Sequence, residues 1–129
     1  MSPNRMAVHQ TSAGAHIIDD SYNANPMSVT AALEALAAMA ASRRVAVLGL
    51  MAELGDEHAA EHERMTALAR AHGIDVIAVA TPEYGDDAVH VDDIDAALER
   101  LGPVGVGDAV LVKGSRVAAL ERLAARLLG

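Results

Sequence analysis

Residues 19–26 read Asp-Asp-Ser-Tyr-Asn-Ala-Asn-Pro, a run of hydrogen-bonding side chains between a short apolar stretch and an alanine-rich one. Two readings of it stand open. In the first, Pro26 takes the first position of a helix, where a missing N–H is harmless, and Asn25 is the N-cap that accepts an orphaned amide. That accounts for two residues and leaves Asp19, Asp20, Tyr22 and Asn23 without a structural task. In the second, acids at the end of a strand partner the positive end of a helix, accept ribose hydroxyls or bind a cation.

A second turn, Lys113-Gly114-Ser115-Arg116, follows an apolar run. Ser115 is placed to cap a final helix, and a helix N-terminus flanked by Lys113 and Arg116 makes an anion site. A capped helix with two solvated cations explains the same residues. No G-x-x-x-x-G-K-[ST] loop occurs in the sequence, nor a G-x-G-x-x-G after any strand-like run. If phosphate chemistry is the task, the main phosphate loop lies outside these residues.

The stretch 49–56, Gly-Leu-Met-Ala-Glu-Leu-Gly-Asp, holds one acid without a local explanation, Glu53; Asp56 is a good N-cap candidate for the helix that follows. His58-x-x-Glu61-His62 has the spacing of an inverted zinc motif. Zinc also requires a third protein ligand and an open position, and His62 shares a helical face with Met65 and Ala69 that should pack on a sheet. A partly buried histidine is the reading adopted, and no metal site is assigned. Asp86, Asp87, Asp92, Asp93 and Asp95 are explained by solvation and capping.

These turns need a scaffold, and hydrophobic periodicity supplies one. Alternating runs at 5–11 and 15–19, joined by Ser-Ala-Gly, predict a hairpin with Gly14 in its turn. Val29, Leu33, Leu36 and Ala40 share one face of a helix over 28–41. Short apolar strands follow at 44–49, 75–80, 88–91 and 108–113. They alternate with helices at 56–72 (closed by Gly73), 93–101 and 115–128. The last two carry Ile94, Ala97, Leu98 and Leu101, then Val117, Leu120, Ala124 and Leu127, at helical spacing. Continuous apolar strands alternating with amphipathic helices indicate a parallel sheet covered on both faces. The predicted fold is therefore an α/β, Rossmann-like open sheet of about six strands, mostly parallel, with an antiparallel edge from the hairpin. In such sheets ligands bind beyond the carboxyl ends of the strands, at a topological switch point. That rule selects the turns at 19–26, 49–56 and 113–116.

Bulk properties set limits. A chain of 129 residues fits one domain over 1–129. With 52% apolar but only 2% aromatic residues, the core must come from Val, Ile, Leu, Met and Ala. A net charge of −8, from 18 acids and 10 bases, argues against nucleic acid or an anionic membrane as partner. It leaves room for a nucleotide held by backbone amides and a few cations. The absence of cysteine excludes disulfides and thiolate chemistry. No apolar stretch reaches the ~20 residues of a membrane span, and the first residues lack the layout of a signal peptide. A cytoplasmic monomer is expected. A phosphorelay receiver is disfavoured, because the strands at 44–49 and 75–80 run into Gly49-Leu50 and Ala80-Thr81 instead of an aspartate.

Taken in order and spacing, the segments 17–36, 44–55 with a later histidine, and 110–116 resemble the C-terminal domain of the Mur ligases. The resemblance runs from about Asn4 to the end of the chain. It is nearest to the branch that joins D-Ala-D-Ala to UDP-MurNAc-tripeptide. The resemblance implies a longer enzyme with a domain for the uridine nucleotide and a central ATPase domain carrying the phosphate loop. It implies ATP and Mg2+ as cofactors, an acyl phosphate on the tripeptide carboxylate, and attack by the dipeptide amine. It maps Asp20 to an acid that contacts the ribose of ATP, with Tyr22, Asn23 and Asn25 in the same nucleotide-facing turn. Lys113, Ser115 and Arg116 map to the turn that faces the incoming dipeptide. Glu53 falls in the family's Glu-Leu-Gly element, and His62 aligns with a histidine common downstream of it. The sequence departs from the family at Leu50, where an acid is frequent, so no catalytic role is carried to that turn. These residues alone are expected to be inactive. The alternative is a stand-alone nucleotide or small-anion binding module of the same fold.

Overall fold

β-Branched and other apolar runs bounded by Gly, Asp and Pro set the strands, and the computed structural model of the chain, which describes residues 6–21, 24–114 and 120–129, places them in one sheet. In chain order the elements are β1 (Ala7–Gln10), β2 (His16–Asp20), α1 (Pro26–Ala38), β3 (Arg43–Leu48), α2 (His58–Ala71), β4 (Asp75–Val79), β5 (Val89–Val91), α3 (Ile94–Leu101), β6 (Asp108–Lys113) and α4 (Glu121–Leu128). Two 3-10 turns, Gly55–Glu57 and Pro82–Tyr84, precede α2 and β5.

The strand order is β1-β2-β6-β3-β4-β5. Only β1 is antiparallel, paired with β2 through the hairpin; the other neighbours are parallel. Gly14 makes that hairpin possible: its φ is +95°, and a Cβ there would lie 2.6 Å from Val106 Cγ2. The expected Rossmann-like open sheet with one antiparallel edge is thus the fold observed.

Period-two alternation divides each central strand between two cores. Ile18, Ala46, Leu48, Val76, Ala78 and Leu111 pack with Val29, Leu33, Leu36 of α1 and Met65, Ala69 of α2. Ile17, Val45, Val47, Ile77, Val79, Val110 and Val112 pack with Ala97, Leu101 of α3 and Leu123, Ala124 of α4 on the other face. Burying a side chain such as Leu33 contributes about 1.5–3 kcal/mol, and short aliphatic residues make up most of both cores, with Tyr84 the one tyrosine ring buried among the described residues.

Some boundaries differ from the sequence expectation. The first helix covers Pro26–Ala38, not 28–41, because the Asn25 cap and Pro26 begin it earlier; Ala40 lies beyond it and is exposed. Asp56 does not cap α2: it sits inside the 3-10 turn, and α2 starts at His58 without a side-chain cap. The end of α2 is as expected. Gly73 has φ +72°, and Gly73 N–H to Arg70 O with Ile74 N–H to Ala69 O forms a Schellman closure. Of the predicted helix 115–128, the structure describes α4 from Glu121; residues 115–119, including Ser115, Arg116 and Val117, lie outside the described residues.

Candidate functional site

Strand order assembles the site. The three turns selected from sequence follow β2, β3 and β6, and these strands are neighbours in the order β2-β6-β3. The chain leaves β2 for α1 on one face and leaves β6 for α4 on the other. Adjacent parallel strands with helices departing to opposite faces define a switch point, where the carboxyl edge opens into a crevice.

Asp20 and Lys113 end β2 and β6 and are direct register partners. Their side chains meet: Lys113 Nζ donates to Asp20 Oδ2 at 2.6 Å. The lysine side chain is 2% exposed and the carboxylate 11%. A charge-assisted bond of this length, largely removed from water, holds both groups in one geometry. Asp19 serves the turn instead, its Oδ1 accepting from Ser21 N–H at 3.3 Å and from Ser21 Oγ at 2.8 Å.

Asn25 acts as the N-cap that its position predicts. Its Oδ1 accepts from Ser28 N–H at 2.8 Å, while Ser28 Oγ accepts from Asn25 N–H at 3.1 Å, a reciprocal capping box. Tyr22 and Asn23, assigned to the same turn, lie outside the described residues, as do Ser115 and Arg116. The structure therefore joins Asp20 to Lys113 and assigns Asn25 Oδ1 to the helix.

The third turn is anchored by His62, which the sequence singled out, and by Tyr84 and Thr66, which it did not. Gly49 N–H donates to Lys113 O at 2.9 Å, tying the end of β3 to that of β6. Gly49 O accepts from Tyr84 Oη at 2.6 Å. Met51 N–H donates to His62 Nε2 at 3.0 Å, and His62 Nδ1 faces His58 O at 2.6 Å. The amide requires Nε2 to accept, so the proton sits on Nδ1 and points at the carbonyl; the ring is neutral. Burial lowers the His62 pKa below the usual histidine value; the His58 carbonyl and Glu83 oppose that, and His58 adds to it. Tyr84 packs edge-on to His62, with ring centroids 4.8 Å apart. Burial pushes its phenol well up, so it remains a donor. Thr66 Oγ completes the cluster by donating to Tyr84 O at 2.7 Å.

His62 is fully buried, whereas the half-buried His58 lies against its ring, with centroids 4.4 Å apart, and reaches Glu83 at 3.3 Å. The signal for Tyr84 was available in composition: it is one of two tyrosines in a chain without Phe or Trp. Glu53 is exposed and has φ +64°, a left-handed conformation uncommon outside Gly, Asn and Asp. Among the described residues, no group of three or more His, Asp or Glu side chains could hold a metal ion, and no helix is long and apolar enough to cross a membrane.

The chain is similar to known proteins in sequence and in fold. Residues 4–116 match the family described as Mur ligase, glutamate ligase domain. The UDP-N-acetylmuramoyl-tripeptide–D-alanyl-D-alanine ligase of Mycobacterium tuberculosis is 39% identical, across 99% of this chain and 31% of that protein. Its Escherichia coli counterpart is also 39% identical, across 94% of this chain and 28% of its own length. Among solved structures, the MurF ligase from Thermotoga maritima in complex with ADP superposes with a TM-score of 0.84 at 28% identity, covering 98% of this chain and 31% of that one. MurF from Acinetobacter baumannii gives 0.81 at 30% identity, covering 99% and 30%. The chain thus spans under a third of the length of these relatives. With family match, sequence relatives and superposition in agreement, the chain belongs to the Mur ligase family as a C-terminal domain closely related to the D-alanyl-D-alanine-adding ligases.

Proposed function

We propose that this chain is the C-terminal closing domain of an ATP-dependent ligase that adds D-Ala-D-Ala to UDP-MurNAc-tripeptide in peptidoglycan precursor synthesis. The observation that carries the reading is the match of nearly the whole chain to one third of such ligases. The domains for the uridine nucleotide and the phosphate loop would be supplied by the rest of the protein, as a single domain over 1–129 without a G-x-x-x-x-G-K-[ST] loop requires. We place the complete enzyme in the cytoplasm, as a monomer.

ATP is a substrate in this scheme. Its γ-phosphoryl group passes to the tripeptide carboxylate, giving an acyl phosphate and ADP. The amine of D-Ala-D-Ala then attacks the acyl carbon, the amide bond forms, and phosphate leaves with the C–O electron pair. Mg2+ would neutralise charge during phosphoryl transfer, and we assign its ligands to the central domain. This chain contributes the walls of the closed site. The residues present fit a nucleoside: Asp20 sits at the switch point with a carboxylate that can accept ribose hydroxyls, at the edge where ligands bind in such sheets. The resemblance assigns Tyr22 and Asn23 to the same nucleotide-facing turn, and Asn25 supports that turn by starting α1. The turn after Lys113, with Ser115 and Arg116, would receive the dipeptide carboxylate.

The test is steady-state kinetics on the full-length ligase with all three substrates. ADP release should depend on both UDP-MurNAc-tripeptide and D-Ala-D-Ala, and Ser115→Ala should raise the KM for D-Ala-D-Ala while leaving that for ATP in place. Pentapeptide formation by residues 1–129 alone, or ADP release indifferent to the dipeptide, overturns the proposal.

A further inference from the structure

Residue matching puts Lys113 with the dipeptide and Asp20 with the nucleotide, two separate duties, yet the structure closes the two side chains on one another. Lys113 Nζ to Asp20 Oδ2 is 2.6 Å. The ammonium is the deeper partner, at 2% side-chain exposure against 11% for the carboxylate. For Lys113 to reach a dipeptide, that ammonium would have to leave a buried carboxylate, stranding one charge out of water. We propose that Lys113 is a positioning residue that acts on the reaction through Asp20, and does not itself bind the dipeptide.

The backbone around Lys113 suits that role. Its register partners are Asp20 on β2 and Leu48 on β3, so both sides of the strand are occupied at its last residue. Its carbonyl accepts from Gly49 N–H, which fixes the strand end further. The long lysine stem is packed along its length, and lysine, ordinarily a mobile side chain, delivers its charge from a rigid support. With Oδ2 held, rotation of the Asp20 carboxylate about its last torsion is arrested, and the group presents one orientation to the carboxyl edge. Preorganisation of this kind matters because a misoriented acceptor must pay an ordering cost each time nucleotide binds.

The inference rests on the nucleotide reading of Asp20 given above, and the experiment separates the two. In the full-length ligase, KM values for ATP and for D-Ala-D-Ala are measured for Asp20→Asn, Lys113→Met and the double variant, with folding of each checked by circular dichroism. The expected result is that both single variants raise the ATP KM roughly tenfold, and that the double variant is no worse than the worse single, as for residues acting as one unit. The dipeptide KM should stay within about twofold in Lys113→Met, where a direct ligand would lose about tenfold or more. Lys113→Arg, which keeps a charged donor, should recover part of the ATP affinity, a rescue that a simple packing role would not give. If Lys113→Met does not fold, Lys113→Gln is read by the same criteria. A selective rise in the dipeptide KM, or single effects that multiply in the double variant, overturns the proposal. A rise in ATP KM for Asp20→Asn but not for Lys113→Met overturns it while leaving the nucleotide reading intact. Unchanged ATP KM in Asp20→Asn overturns both.

Discussion

Lys113 and Asp20 are 93 residues apart in sequence and 2.6 Å apart at their charged ends. The contact links the last residue of the first parallel strand to the last residue of the last one. It depends on β6 pairing in parallel with β2, so it reports the step at which strand order departs from chain order.

The pair should be felt in stability. Removing one partner of a buried pair leaves the other charge uncompensated, which costs about 3–5 kcal/mol. Asp20→Asn and Lys113→Met are each expected to lower the free energy of unfolding of the chain, Lys113→Met toward the small end because the carboxylate it leaves unpaired is the more exposed of the two groups. Replacing both together should cost less than the sum. Urea titrations read at constant m-value check this; strictly additive losses would show that the two groups are not coupled.

His62 gives the chain a pH dependence of defined sign. Its folded-state pKa is lowered, chiefly by burial, relative to 6.5. Between that lowered value and 6.5 the unfolded chain binds a proton that the folded chain does not, so stability rises with pH through this window. The contribution is fully present above 6.5 and is lost as pH falls toward the folded pKa. The His58 carbonyl and Glu83 work against that lowering and the His58 ring adds to it, each by less than the burial cost. Melting curves from pH 7.5 down to about pH 5 should show the loss in the native chain, whose histidine reference lies near 6.5. His62→Gln should flatten it; an equal slope in both would place the pH dependence elsewhere.

Asn25 separates capping from ligand contact. Asn25→Ala should destabilise the chain by about 1 kcal/mol, the usual value of an N-cap, whereas Asn25→Ser should restore most of it because serine caps equally well. In the full-length ligase, Asn25→Ser should also restore the ATP KM, since the residue acts by starting α1. Stability restored without nucleotide affinity would mark Asn25 as a direct contact.

Much of this was readable one segment at a time. Asn25 and Pro26 announce a helix start, Gly73 a helix end, and Asp108–Lys113 a strand, because caps, turns and apolar periods are written in neighbouring residues. Asp56 shows the limit of that logic. A residue type suited to capping was available, but the chain entered α2 through a 3-10 turn, and the cap went unused.

By itself, then, the sequence determined the α/β alternation, the Asn25 cap of α1, the family resemblance and the three polar turns. The tertiary structure alone decided that β6 lies between β2 and β3, that Lys113 pairs with Asp20, and that His62 and Tyr84 bond to the backbone of the Gly49–Met51 turn. The physical reason is one of range. Strand and cap signals arise from interactions a few residues apart, whereas strand order and buried pairing follow from how two hydrophobic faces close over one sheet, which no local window contains.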